Sequence, residues 1–413
     1  MKKNKIYLGD SFIKIYSLFQ KSSLLKKIKS VMYYLDRLIM IFIKKPKYQK
    51  SLKKKILIIY NLAFGDGVVF LNALKDIRKI YPKDSFEITI SVQKGLEKLY
   101  DSTRLFDRII QLDYNKSTVN IIERIKTIRK ITDTYYDIIL DPVGANQCLT
   151  NVLTTRNARG KEKIGCEFTE YEKSCSKHII KKTYNKIKVI KEKTLIEQYY
   201  AFFYDKYKIE YCELPKKKYI GSLPSSYFMV FPSASTELKK WPLDRYAEIV
   251  DRIYRKTKFV LVLCGTKVDE DDCNKLLTLL DKKIPVVNLI GKTSLFEFID
   301  IIQKSKFVVT NDTSTYHISV VNQTPVTIIS GSYTYDRYVS YEFEGCNKYR
   351  RPYIAAKKIN CFNCDNKCCK LERGDKIWPC LEAITIEDAW KVINKMIDET
   401  REEDGIKNKR KNK

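Results

Sequence analysis

Three loops carry residue types at spacings that suit chemistry on a phosphorylated ligand. The first reads Asn61-Leu62-Ala63-Phe64-Gly65-Asp66-Gly67. Its glycines let the backbone turn tightly and approach a ligand. A carboxylate at Asp66, where a helix begins, can cap that helix. It can also take a proton from an acceptor hydroxyl. On the sequence alone capping is favoured, because glycine-flanked caps are common. The second loop runs from Pro232 to Pro242 and offers Ser235, Thr236 and Lys239 just after a strand. Hydroxyls and a Lys can hydrogen-bond and neutralise a diphosphate. A Lys 4 Å from a phosphate charge is worth up to ~4 kcal/mol at an effective dielectric of ~20. The alternative is a solvated loop anchored by Trp241-Pro242, which suits Lys240 better than Ser235 and Lys239 together. The third loop, Asn311-Asp312-Thr313-Ser314-Thr315-Tyr316-His317, ends a strand and opens a helix. A helix N-terminus supplies free N–H groups and a partial positive charge, which suits a pyrophosphate. His317 is one of two His in the chain, with His178. A lone His is usually structural, yet this one lies one turn inside the loop's helix.

The elements that must position these loops alternate. Ile56 to Tyr60 is a continuous apolar, β-branched run, the mark of a buried parallel strand. Helical spacing follows over Val68 to Tyr81 and stops at Pro82. Phe86 to Val92, Ile109-Ile110 and Ile138 to Leu140 predict further strands, and Leu195 to Tyr207 a helix. The segment 160–225 is irregular and rich in Lys and Tyr, with a linker near Pro215 to Pro224. A second series starts at Tyr227. It predicts strands at 227–231, 259–264, 286–289, 307–310 and 326–329. Helices fall at 243–255, 269–280, 294–304 and 313–322, with Thr293 or Ser294 capping the third of these. Strands alternating with helices mean parallel sheets with helices on both faces. In such sheets ligands sit beyond the carboxyl ends of the strands, where all three loops fall.

Length and charge frame this reading. The 413 residues suit two domains plus extensions, and 44% hydrophobic residues allow each a core. We divide the chain into a basic amphipathic extension (1–50), a first Rossmann-like domain (51–215), a second (216–355), a Cys-rich segment (356–385), and a helix with a charged tail (386–413), the tail expected to be disordered. The net charge is +29, from 78 Lys and Arg against 49 Asp and Glu. AT-rich coding accounts for the larger share of this surplus, and a membrane or phosphate role for the rest. The basic residues are spread along the chain, not gathered with stacking aromatics, so no nucleic-acid partner is expected. The stretch Val31 to Ile43 is flanked by lysines and broken by Asp36 and Arg37. It can lie at a membrane interface or pack against the first domain, and the two readings weigh equally. No apolar run reaches the roughly 18 to 20 residues that span a bilayer. No secretory signal is apparent, which makes a cytoplasmic, reducing compartment the default for the twelve Cys.

The loops in this order resemble glycosyltransferase family 9, the bacterial heptosyltransferases of lipopolysaccharide core assembly. The likeness covers roughly Lys55 to Ser332. It rests on the strand plus Phe64-Gly65-Asp66, Lys239 before Trp241-Pro242, Leu289-Ile290-Gly291-Lys292-Thr293-Ser294-Leu295, Asn311-Asp312-Thr313 with His317, and Thr324-Pro325 before a strand ending at Gly331. The resemblance implies an α/β fold of GT-B type, two Rossmann-like domains facing across a cleft. It implies inverting, metal-independent transfer of a sugar, typically heptose from ADP-heptose, to a membrane-anchored glycolipid. Asp66 then matches the catalytic base. Ser235 and Lys239 match diphosphate contacts, and Asp312, Thr313 and His317 the nucleotide-sugar loop, with Thr236 and Ser314 beside them as further donor-binding candidates. The basic extension would hold the enzyme on the cytoplasmic side of the anionic inner membrane. Ser233 and Ser314 stand where the family often has Gly, which motivates a second reading as a non-catalytic nucleotide-sugar-binding or scaffold protein.

The spacing Cys361-x2-Cys364-x3-Cys368-Cys369-x10-Cys380 raises a separate expectation. Cys361, Cys364, Cys368 and Cys380 are candidate ligands for a structural zinc, slightly ahead of free thiols, with an iron–sulfur cluster third. The acidic run Asp269 to Asp272 more simply opens a helix than binds a metal.

Overall fold

The continuous apolar runs become the central strands of two parallel sheets. The computed structural model describes residues 33–43, 46–48, 50–143, 149–169, 177–372 and 375–411. The chain divides into two compact units, one up to Tyr207 and one from Lys208.

In the first unit, residues 33–41 form helix α1. Then follow β1 (Lys54–Tyr60), α2 (Phe64–Ala73), β2 (Phe86–Gln93), β3 (Arg108–Leu112), α3 (Ile121–Thr132), β4 (Tyr135–Leu140), α4 (Leu149–Asn157), β5 (Arg159–Phe168), β6 (Lys186–Ile190) and α5 (Leu195–Phe203). The strand order is β3-β2-β1-β4-β5-β6, and every pairing is parallel. Residues 56–60 of β1 are fully buried, as a strand covered on both faces must be. β5 and β6 were not expected. Their sequences, RGKEKIGCEF and KIKVI, carry charges on outer strands, so no apolar run announces them. The helix expected at 68–81 starts earlier, at Phe64, and ends at Ala73, with a separate turn at Ile77–Ile80.

In the second unit come β7 (Tyr227–Phe231), α6 (Leu243–Thr257), β8 (Val260–Leu263), α7 (Glu270–Leu279), β9 (Val286–Asn288), α8 (Leu295–Lys304), β10 (Val308–Asn311), α9 (Ser314–Val321), β11 (Val326–Ile329), β12 (Tyr353–Ala355) and α10 (Ile386–Lys411). The order is β12-β11-β10-β7-β8-β9, again all parallel. Counted from its own first strand, each sheet has the same doubly wound order. Each reverses direction between its first and fourth strands, where open α/β sheets bind ligands. This is the GT-B type of fold, two Rossmann-like sheets in one chain. Ser294 caps α8 through a capping box with Glu297. The acidic run opens α7: Asp269 accepts from the Thr266 backbone and hydroxyl, and Asp272 pairs with Lys240.

The charged tail is helical, not disordered, as far as Lys411. Glu, Lys and Arg are good helix formers. Arg350 also pairs with Glu403, and Arg401 donates to the Lys256 carbonyl at 2.9 Å.

The described part of the N-terminal extension packs on the first unit. Asp36 is fully buried and accepts from Arg124 Nε at 2.8 Å, Arg124 Nη2 and Asn157 Nδ2 at 2.8 Å. Tyr33 and Ile39 face the same way. The opposite side of α1 leaves Tyr34, Leu38 and Ile41 exposed, and Phe42, just after the helix, is 86% exposed. Residues 1–32, including Lys26, Lys27 and Lys29, lie outside the described residues. Among the described residues no helix is long and apolar enough to cross a membrane.

Candidate active-site loops

Each unit presents its candidate loops at the carboxyl ends of its first and fourth strands. In the first unit the loop after β1 is short, because α2 begins at Phe64. Ala63 occupies the cap position, and Asp66 is the third residue of the helix. Its charge there suits the positive end of the helix dipole. Asp66 is partly exposed. Gly67 allows close approach: a Cβ there would meet Leu96 Cδ2 at 2.7 Å, so that side chain would have to shift. The Gly67 carbonyl also accepts from the Tyr100 hydroxyl at 2.9 Å. Beneath the loop, Tyr60 stacks on Phe70 at 3.9 Å and shares a hydrogen bond with Tyr199 at 3.0 Å. Burial raises the Tyr60 hydroxyl well above its ordinary range, and the Tyr199 and Asp66 charges raise it further. The phenol therefore stays protonated beside the carboxylate.

Asp141, just beyond β4, escaped the sequence reading. It occupies the place in the first sheet that Asp312 occupies in the second. It is fully buried and accepts from Tyr184 OH at 2.6 Å, Thr155 Oγ1 at 3.0 Å and the Val143 N–H at 3.2 Å. Only its place at the end of a strand could have flagged it.

In the second unit the two loops are tied to each other. Asn311, the last residue of β10, is fully buried. Its amide nitrogen donates to the Pro232 carbonyl at 2.6 Å. Its oxygen accepts from Tyr246 OH at 2.9 Å and the Trp241 N–H at 3.3 Å. Asn311 thus pins both ends of the loop that carries Ser235, Thr236 and Lys239. Lys239 sits in a turn of 3-10 helix, Glu237–Lys239, and its Nζ lies 3.0 Å from Asp312 Oδ2. The Tyr333 hydroxyl donates to the same oxygen at 2.9 Å, and Lys239 Nζ is 5.3 Å from the Tyr333 ring centroid. Burial opposes ionisation of Asp312. The Lys239 and His317 charges, with hydrogen bonds from Lys239 and Tyr333, outweigh it and hold the carboxyl below its usual range.

His317 is buried, and its Nδ1 is 2.6 Å from Tyr341 OH. Burial lowers it to about 4 against the partial opposition of Asp312, so the ring is neutral at physiological pH. Thr313 holds the cap position of α9 with extended backbone but no side-chain cap bond, and its hydroxyl lies 3.1 Å from Thr310 Oγ1. Ser314 opens the helix, partly buried. Thr315 behind it is fully buried, with a hydroxyl that has no hydrogen-bond partner among the described residues. Ser235 is exposed and Thr236 half-buried. Lys240 points elsewhere, into ion pairs with Glu237 and Asp272. Structure therefore gathers Lys239, Asp312, Thr313, Ser314 and His317 on one face of one unit. It adds Asn311 and Tyr333.

The Cys-rich segment braces these loops. Asn363 N donates to the Ser332 carbonyl at 2.8 Å, and Asp365 N to the Tyr333 carbonyl at 2.8 Å. Trp378 N donates to the Leu238 carbonyl at 3.0 Å. Gly331 is small because a Cβ would meet the Tyr333 ring at 2.6 Å and Cys380 Sγ at 2.8 Å. The zinc expectation at Cys361, Cys364, Cys368 and Cys380 finds no support. Among the described residues no group of three or more His, Cys, Asp or Glu is arranged to hold a metal ion. Burial, followed by the neighbouring Cys368, Cys364 and Cys369 thiols, pushes Cys361 up to about 11. Burial raises Cys364 and Cys380 as well.

Two doubly wound sheets with loops of this kind at their reversal points define a GT-B type protein. The chain belongs to glycosyltransferase family 9 (heptosyltransferase), whose model matches residues 124–342, just over half of it. Asp66 lies outside the matched stretch. Lipopolysaccharide heptosyltransferase 3 of Escherichia coli (strain K12) is 24% identical over 106 residues, 26% of this chain. That stretch spans 31% of the relative's own length. The glycosyltransferase family 9 structure from Veillonella parvula DSM 2008 covers 86% of this chain and 100% of its own at TM-score 0.62 and 17% identity. E. coli ADP-heptose lps heptosyltransferase II covers 84% and 99% at TM-score 0.57 and 17% identity. At such identities these structures speak for the fold alone.

Proposed function

We propose that the protein is an inverting, metal-independent glycosyltransferase that moves heptose from ADP-heptose to a membrane-anchored glycolipid such as lipopolysaccharide core. The observation that carries this reading is the Lys239–Asp312–Tyr333 cluster beside the start of α9, in a chain of family 9. A heptosyltransferase of the same fold is described by its name as using ADP-heptose. In this reading Asp66 takes the proton of an acceptor hydroxyl. The freed oxygen pair attacks the anomeric carbon, and the bond from that carbon to the diphosphate breaks, releasing ADP. Lys239, with Ser235 and Thr236, meets the diphosphate, and Thr313, Ser314 and the α9 N-terminus share its charge. Asp312 holds Lys239 in place until the diphosphate competes for it. His317, neutral and bonded to Tyr341, fixes the α9 face of the site. No catalytic step needs a metal.

The same reading places the protein in the cytoplasm, peripheral to the inner membrane. Its support is the exposed apolar side of α1, with Arg37 on that surface, and the net charge of +29. A thermal-shift screen of nucleotide-sugars tests the donor. ADP-heptose should raise the melting temperature, because a ligand bound only to the native state stabilises it. A screen in which another nucleotide-sugar stabilises the protein and ADP-heptose does not would reject the donor assignment.

A further inference from the structure

We infer that the first unit carries a separate site for a phosphate-type oxyanion, formed by Arg156, Arg159 and Lys163 where α4 ends and β5 begins. Lys163 Nζ donates to the carbonyls of Thr155 at 2.8 Å and Arg156 at 2.9 Å, which fixes its charge at the end of α4. The Arg156 guanidinium carbon lies 3.7 Å from the centroid of the Tyr33 ring, so α1 holds that side chain flat. Nη1 of Arg156 and Nε of Arg159 are buried and have no hydrogen-bond partner among the described residues.

Among the described residues no acid pairs with any of the three cations. Asp36, which bonds Asn157 beside Arg156 in sequence, is already taken by Arg124. Glu162 is paired with Lys186. The three charges feel one another: burial first, then Arg159 and Arg156, lowers Lys163 to about 7.

A buried donor without an acceptor is costly, and more so when charged. Three cations gathered without an acid add mutual repulsion. An oxyanion answers both at once, because its oxygens accept from guanidinium forks and its charge offsets theirs. Arg159 is the first residue of β5 and lies opposite Tyr135, the first residue of β4. Lys163, farther along the same strand, lies opposite Ile139, so the site runs beside β4 and β5 and not on the loop after β1 that carries Asp66. It does not rest on the proposed donor loops, which belong to the other unit. The ligand is a phosphate group, free in solution or on a lipid headgroup.

The test uses the full chain carrying Lys239→Ala, so that phosphate held at the donor loop does not count. Inorganic phosphate is titrated in a thermal-shift assay, with and without Arg159→Gln. The same two proteins are cosedimented with vesicles of phosphatidylglycerol and of phosphatidylcholine. Arg159→Gln is the chosen change because, among the described residues, no hydrogen bond from that side chain holds the fold, and circular dichroism checks that it is folded. Phosphate or phosphatidylglycerol should bind the parent, and roughly tenfold more weakly when Arg159 is Gln. Phosphatidylcholine should bind neither protein. Binding of phosphate itself assigns a soluble ligand, and binding of phosphatidylglycerol alone assigns a headgroup. Absence of both responses overturns the site. So does a response that Arg159→Gln changes less than twofold, since general attraction to the chain's net charge would survive the loss of one Arg.

Discussion

Replacing Lys239 by Met should cost donor binding far more than it costs the fold. Lys239 Nζ lies 3.0 Å from Asp312 Oδ2, and the lysine side chain is 28% exposed. Opposite a diphosphate oxygen at 4 Å the gross attraction is ~4 kcal/mol at an effective dielectric of ~20. Desolvation leaves a charge-assisted bond worth about 1.5–3 kcal/mol net. That corresponds to roughly a ten- to 150-fold loss of donor affinity. The fold also suffers, because Asp312 keeps only the Tyr333 hydroxyl of its two partners, at a cost of about 1–3 kcal/mol. Asp312→Asn is the informative comparison. It destabilises the same loop yet leaves Lys239 its charge, so its donor affinity should fall much less. Calorimetric titration with ADP-heptose separates the two, with urea unfolding as the stability control. If Lys239→Met binds the donor within twofold of the native chain, the diphosphate role of Lys239 is refuted.

Three further outcomes are expected. His317 ionises in the unfolded chain near 6.5 but in the fold at about 4, so the folded state binds fewer protons between those values. Stability should therefore fall as pH drops from 6.5 to 4, by ~3 kcal/mol from this group. His317→Asn should lose that part of the slope in urea titrations, and an unchanged slope would count against it. Asp36→Asn should destabilise the protein by about 3–5 kcal/mol, because Arg124 is left as a buried, unpaired charge. Equal urea midpoints for the variant and the native chain would deny that α1 is integral to the first unit. Tyr333→Phe keeps the ring beside Lys239 but removes the hydroxyl bond to Asp312, at about 1 kcal/mol. It should move the acid limb of the activity profile to higher pH, since that bond helps to hold Asp312 low. A profile identical to the native one contradicts the positioning role.

Much of this architecture was legible because buried parallel strands write themselves as unbroken apolar runs. Ile56 to Tyr60 and Tyr227 to Phe231 are such runs, and both became first strands of their sheets. β5 and β6 were hidden because outer strands can be charged, and β12 is only three residues long. The loops of the second unit were legible through Lys239, Asp312 and His317, whose types are unusual just after strands. Their connections were not. Asn311 reads as one more polar residue until its four hydrogen bonds are seen, and Tyr333 lies 21 residues beyond the carboxylate it touches. Capping was the simpler reading of Asp66, yet α2 starts four residues sooner than its apolar spacing begins to show. The Cys spacing suggested metal where the structure has a brace against Gly331 and Tyr333.

The central claim is transfer of heptose with Asp66 as the base, and one assay addresses it most directly. Purified native protein and Asp66→Asn are each given ADP-heptose and a lipopolysaccharide core acceptor that lacks heptose. ADP release and the mass of the glycolipid product are followed together. The native chain should release one ADP per heptose added. Asp66→Asn should bind ADP-heptose as tightly but lose transfer by roughly 10²–10⁴-fold, the usual contribution of a positioned base. Full transfer by Asp66→Asn would remove Asp66 from the mechanism. A native enzyme that binds ADP-heptose and transfers nothing would contradict the account.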